Sequence, residues 1–231
     1  MAYWDTAREL AQDAGKAAGI PTKGAKGFIF DKKSGLTAYV LQNASTVPPE
    51  IRVVFGGTTS GEHTGGLGKR SLLNGAFSLR QWIANAKNAL LGQTPDSYRQ
   101  AAEITQHVQN MIKTDPRYTG FELKVSGHSK GGGEAEYAAL CLEDPVEAIC
   151  FSSAELGKAM RGDISEERKA TAARYVTHYK IKGDPVPNLG NIAGELGHLG
   201  KVVTLPAEHA WNSPIDRHDK FTRHIRHFLN T

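Results

Sequence analysis

The chain has 231 residues, 39% of them hydrophobic and 23% charged, enough apolar material for one larger-than-average domain and an argument against disorder. Twenty-eight Lys and Arg against 24 Asp and Glu leave a net charge of +4, too weak a basic balance to argue for nucleic acid and no obstacle to an anionic membrane surface. The opening MAYWDTARELAQDAGKAAGI lacks a basic region followed by an apolar run, and no stretch of about 18 apolar residues exists, so a soluble product made in the cytoplasm is expected.

Trp4, Ala7, Leu10, Ala11 and Ala14 recur at helical spacing and predict an amphipathic helix over residues 3–19, closed by Gly19 and Pro21, within an N-terminal helical segment 1–24. "GFIFDKKSGLTAYVLQN" predicts two strands joined by a Lys-Ser-Gly turn, and "IRVVFGG" a short strand with a glycine end. Residues 60–78 are glycine-rich and without period, and a loop that long inside a compact domain is usually functional or mobile. "LRQWIANAKNALLG" reads as a helix. A second helix over 97–113 puts Tyr98, Ala101, Ile104, Val108, Met111 and Ile112 on one face.

"FELKVSG" is then a strand, "KGGGEAEYAALCLE" a helix, "VEAICFSS" a strand, "EERKATAARY" a helix or its connection, and "VTHYKIKGDPV" a strand stopped at Asp184-Pro185. "LGKVVTL" is a last strand and "PIDRHDKFTRHIRHFLN" a last helix, with Phe221, Ile225 and Phe228 facing inward. Strands alternate with helices from about residue 50, which predicts a single α/β domain over 1–231 with a mostly parallel central sheet and helices on both faces. Cys141 and Cys150 read as small buried hydrophobes, with spacing for neither metal nor redox chemistry.

Gly127-His128-Ser129-Lys130-Gly131 fits G-x-S-x-G, a pattern that gains meaning only between a strand and a helix, which is its context here. Such a turn lifts the Ser129 hydroxyl to a helix N-terminus, where developing negative charge is favoured. A serine needs a base, and the base an orienting acid. Asp184, just past a strand's C-terminal end, stands where sites gather in parallel sheets, though Asp-Pro is also an ordinary turn. Among the later histidines, His218 opens the final helix on its buried side and is preferred as base. His224 comes second and His209 third; His198 reads as structural and His227 as solvated. The backbone N–H of Lys130, after the nucleophile, is the expected first donor of an oxyanion hole, and that of Thr58, after the earlier glycine-ended strand, the candidate second, the alternative there being a simple Gly-Gly turn.

Taken in order, these segments resemble the class 3 lipase family of α/β hydrolases and its bacterial relatives. "IRVVFGGTTS" is similar to that family's strand ending in Phe-Arg-Gly-Thr or Ser, "SLRQWIANA" to its tryptophan-containing helix, and "VSGHSKGGGEAEYAAL" to its Gly-His-Ser-Leu-Gly-Gly elbow. "AICFSSAELG" matches the next strand, "YKIKGDPVPNLG" the Asp-x-Val-Pro segment, "GHLGKVVTL" the His-x-Gly stretch and "HDKFTRHIRHFL" the histidine-bearing helix. The resemblance covers most of residues 25–230. It implies Ser129 as nucleophile, Asp184 as acid, His218 as base, and Thr58 and Lys130 as oxyanion donors, with His198 structural. Gly56 stands where the family has Arg, Lys130 where it has Leu, and Glu134 and Glu136 where it has small or apolar residues. The longer stretch 60–78 falls in the family's lid region, where Leu67, Leu72, Leu73 and Phe77 are a lid's apolar face or the anchors of an ordinary loop.

The resemblance implies a serine carboxylic ester hydrolase of the lipase or phospholipase A type, acting on an acyl lipid or ester at a membrane surface with no metal or organic cofactor. It also raises an effector secreted without a signal peptide and neutralised by an immunity protein. The rival readings are a cytoplasmic esterase or thioesterase and a non-catalytic binding protein of the same fold. A metal hydrolase built on His218, His224 and His227 is disfavoured, since no H-E-x-x-H pattern is present.

Overall fold

A computed structural model describes residues 4–20, 28–57, 92–188, 197–209 and 211–222. The expected helix over residues 79–92, His224 and His227, Thr58 and the stretch 60–78 all lie outside the described residues, save for Gly92.

Eight strands form one sheet in the order β1-β3-β4-β5-β6-β7-β8, with β2 paired to β3. The first four are β1 (Asp5–Thr6), β2 (Phe28–Asp31), β3 (Leu36–Asn43) and β4 (Glu50–Phe55), and their pairings are antiparallel. From β4 onward every pairing is parallel, through β5 (Glu122–His128), β6 (Glu147–Phe151), β7 (Val176–Ile181) and β8 (Lys201–Leu205). The β2–β3 hairpin turns as its residues dictate: Asp31 accepts the Lys33 N–H at 2.9 Å, and Gly35 takes φ +74°, which a side chain would resist.

Helix α1 spans Arg8–Ala17, α2 Asp96–Thr114, α3 Lys130–Cys141, α4 Lys158–Gly162, α5 Glu166–Thr171 and α6 Pro214–Asp219. The first helix starts later than its periodicity suggests, because Asp5 and Thr6 pair with β3. Helix α2 buries Tyr98, Ala101, Ile104 and Val108, as its spacing predicts, while Met111 and Ile112 are only half-buried. Together α1, α2 and α3 cover one sheet face, in a core that includes Leu10, Val53, Ile104, Val125 and Ala138. Parity sends alternate strand residues to the other face, where Ile181 and Leu205 meet Phe221 and pack with Phe151 and Tyr179. The fold is therefore α/β, with a mostly parallel sheet flanked by helices. Cys150 is buried, whereas Cys141, the last residue of α3, is half-buried, which corrects the expectation for that thiol.

The register aligns the C-terminal ends of the parallel strands. Phe55 pairs with Gly127, His128 with Phe151, Phe151 with Tyr179, and Ile181 with Leu205. The segments that leave that edge carry Gly57, Ser129 and Asp184, as expected for a site in a parallel sheet. Among the described residues no helix is long and apolar enough to cross a membrane.

Candidate active site

Ser129 follows β5 directly and caps α3, with φ 60° and ψ −126°. A residue with a Cβ pays about 1–3 kcal/mol for such a backbone and keeps it only where the surroundings over-determine it. Here they do. The Ser129 N–H donates to the Phe151 carbonyl at 3.0 Å, and its carbonyl accepts from Gly132 and Ala154, both at 3.0 Å. Glycine is required on either side. A Cβ on Gly127 would lie 2.1 Å from the Gly131 oxygen, and one on Gly131 2.3 Å from the Phe55 oxygen, so only bare backbone lets α3 approach β4 and β5 this closely. Gly57 closes the other side, its notional Cβ 3.4 Å from that of Ser129. Lys130 is the first residue of α3, so its N–H has no acceptor within the helix.

Asp184 and His218, 34 residues apart, meet in the interior. Both are essentially unexposed, and the His218 Nδ1 stands 3.1 and 3.0 Å from the two Asp184 carboxylate oxygens. A carboxylate only accepts, so Nδ1 carries the proton and Nε2 the lone pair. That Nε2 is buried and bonded to no described group. Asp184 is fixed in turn: its Oδ1 accepts the Val186 N–H at 3.0 Å, and its carbonyl accepts from the Asn188 side chain at 2.7 Å. His218 is the fifth residue of α6, not its first, and is reached from the described N-cap Ser213, which accepts the Asp216 N–H.

Two residues that the sequence reading passed over hold this arrangement. His128, beside the serine, lies with its ring 4.7 Å from that of His218 and donates from Nε2 to the His218 carbonyl at 3.1 Å. Burial, with the neighbouring His218 adding to it, pulls His128 down to about 4, so it stays neutral. Arg217 reaches back from α6 to donate to the Lys182 carbonyl at 3.0 Å, against Gly183 at φ +81°, and thereby clamps the turn that presents Asp184. The signals for both were adjacency: one precedes the serine, the other precedes the histidine.

The remaining candidates part company. Lys130 turns its ammonium to Glu134 on the next turn of α3, a nearly buried ion pair, and burial raises the Glu134 carboxyl. His209 stacks on Trp211 at 4.6 Å. His198 lies beside Glu136 and His178 on the other side of α3 from that pair, where the ligand atoms of all three fall within 4.8 Å of one another.

Residues 10–209 match the Tle-like phospholipase domain family. No curated protein matches the chain by sequence. Solved structures similar to it include a fungal lipase in an inhibitor complex, at 15% identity and a TM-score of 0.48 over 87% of this chain and 82% of that one. Dienelactone hydrolase from Anabaena variabilis follows at 13% and 0.42, over 84% and 92%. Carboxyl esterase 2 from the mycorrhizal fungus Tuber melanosporum stands at 14% and 0.40, over 95% and 97%.

Proposed function

The chain belongs to the Tle-like phospholipase domain family, and on that premise we propose that it cleaves a carboxylic ester of an acyl lipid through Ser129, His218 and Asp184. The observation that carries this reading is the buried Asp184–His218 pair, whose outward nitrogen is bonded to no described residue, held by His128 to the elbow that bears Ser129.

In this mechanism His218 Nε2 takes the proton from the Ser129 hydroxyl as its oxygen attacks the acyl carbonyl, while Asp184 stabilises the imidazolium. The oxyanion is met by the N–H of Lys130 and, by the class 3 resemblance, that of Thr58. His218 then protonates the departing alcohol, and water, activated by the same imidazole, releases the acid and restores Ser129. Nε2 makes no hydrogen bond to Ser129 here, and such contacts commonly tighten only with substrate bound. Phospholipid is the substrate in this reading, and an anionic membrane surface the place of action. An antibacterial setting, with an immunity protein as partner, completes the reading.

A fluorophosphonate probe tests it. Labelling of the wild type, lost in Ser129→Ala at unchanged Tm, is the expected result; equal labelling of both removes Ser129 as nucleophile. Release of fatty acid from phosphatidylglycerol vesicles, compared with short p-nitrophenyl esters and triglyceride, then decides the substrate. Growth arrest on periplasmic expression, absent with Ser129→Ala, tests the effector setting.

A further inference from the structure

Among the buried polar side chains that catalysis leaves unused, those of Glu136, His178 and His198 converge. Glu136 stands in the alanine-rich α3 and is wholly buried. Its Oε1 accepts the Leu199 N–H at 3.0 Å, while its Oε2 has no partner among the described residues. Facing it at 3.9 Å is the Nδ1 of His198, an atom that is itself buried and hydrogen-bonded to no described residue. The other His198 nitrogen, Nε2, lies 3.2 Å from the Pro187 carbonyl. A carbonyl cannot donate, so Nε2 carries the hydrogen and Nδ1 a bare lone pair.

Two acceptors therefore face each other in the interior, and no described residue donates between them. A shared proton does not bridge 3.9 Å. A cation can, because zinc–nitrogen and zinc–oxygen bonds of about 2.0–2.2 Å at a tetrahedral angle set their donors roughly 3.4 Å apart, which these two reach by closing about half an ångström. His178 supplies the third donor. Its Nε2 is 3.8 Å from Glu136 Oε1, and its ring lies 4.2 Å from that of His198. At present Nε2 faces the Leu199 carbonyl at 2.9 Å, and Nδ1 faces the Ser153 hydroxyl at 2.7 Å. A hydroxyl both donates and accepts. His178 can thus move its proton to Nδ1, keep the bond to Ser153 and free Nε2 for a metal. Each imidazole would then hold a metal through one nitrogen and donate through the other, to Pro187 and Ser153, the outer support that metal-binding histidines usually have.

We propose that Glu136, His178 and His198 form a site for one divalent transition-metal ion, zinc being the ion that two imidazoles and a carboxylate suit. The site is structural. It joins α3, which Ser129 caps, to β7, which leads into Asp184, and to the approach to β8. It positions the elbow and touches neither substrate nor the reacting atoms, and it stands whether or not the hydrolase reading holds.

The test uses the full chain, purified without chelators and analysed by elemental mass spectrometry. The metal is then stripped, and Zn2+ is titrated back against a chromophoric chelator, with Tm followed in parallel. One Zn2+ per chain and a Tm raised by about 5 °C at saturation are expected. His198→Gln and Glu136→Gln should each weaken Zn2+ binding by about a hundredfold or more, beyond the loss seen for outer-shell partners, while His209→Ala leaves it unchanged. Should a variant fail to fold, the wild-type stoichiometry still decides. Failure of the unaltered chain to take up an equivalent of Zn2+ overturns the site, and so does binding that survives both folded substitutions.

Discussion

Asp184→Asn separates the geometry of the Asp184–His218 contact from its charge. An asparagine in the same rotamer keeps its amide oxygen on the Val186 N–H, now 3.0 Å from Oδ1, and leaves the backbone bonds to Ile181 and Asn188 untouched. Its NH2 group falls where Oδ2 stood, 3.0 Å from His218 Nδ1. Two donors cannot face each other, so Nδ1 gives up its hydrogen and the proton moves to Nε2. An Nε2–H accepts nothing from Ser129. Loss of the correct tautomer costs about 10⁴ in kcat where such a triad operates, which is about 5 kcal/mol of transition-state stabilisation. Tm should change little, because no buried group loses a partner. Asp184→Ala is the contrast: it strands the Val186 N–H and His218 Nδ1–H together and destabilises the fold by about 1–3 kcal/mol for each. The assay is initial rates on a p-nitrophenyl ester, normalised by thermal denaturation of both variants. An Asp184→Asn protein with wild-type Tm and kcat within tenfold of wild type refutes the tautomer argument and the role given to Asp184.

The remaining predictions concern the scaffold. Gly131→Ala should lower stability by about 1–3 kcal/mol, since its Cβ would sit 2.3 and 2.6 Å from the carbonyl oxygens of Phe55 and Gly56, whereas Gly162→Ala, with nothing within 4 Å, should not; equal Tm values for the two would contradict the packing account. Lys130→Met and Glu134→Leu should each destabilise by about 3–5 kcal/mol, but the double variant much less, because only the single changes leave a buried charge unpaired; strict additivity in urea melts would be the contrary result. His128 is held to about 4 against 6.5 in the unfolded chain, so the unfolded state binds the extra proton and its contribution, full above about pH 6.5, is lost as pH falls toward 4. Burial of Glu134 and Glu136 works in the opposite sense, so the measurable quantity is the difference between wild type and His128→Gln. Wild-type stability should fall more steeply between pH 6.5 and 4.5, by up to about 1.4 kcal/mol per unit, and parallel profiles would remove His128 as the cause.

What the sequence made legible was whatever had a local cause. The apolar runs of β4 through β8, their glycine and Asp-Pro stops, and the strand–serine–helix order each follow from neighbouring residues. Asp5–Thr6 was not legible, since two exposed residues have no period and pair only because β3 passes beside them. Helix α4, five residues long, is too short to show one. The Arg217 clamp and the Glu136–His178–His198 contact bring together residues 35 and up to 62 positions apart along the chain, and tertiary approach alone creates them. Each still left a trace: a glycine before Asp184, and a glutamate among alanines.

Those glutamates bear on how a strained serine is held at all. Ten of the twelve residues of α3 are buried, most of them Gly or Ala. Small residues permit the close approach to β4 and β5 but offer little side-chain contact with which to resist sliding or rotation. Glu134 and Glu136 are two positions apart, so they leave the helix about 200° from each other. Glu134 engages Lys130 and Ser97 of α2, while Glu136 engages Leu199 and faces the two histidines by β7 and β8. Buried carboxylates are a costly way to fill such positions, and an apolar pair would serve stability better. What they add is direction. Hydrogen bonds and ion pairs on opposite sides fix the rotation of a smooth helix about its axis, and that rotation sets where the Ser129 hydroxyl points. On this argument Glu134→Leu with Lys130→Met would keep the fold and still lower kcat, because the elbow would lose one of its two anchors.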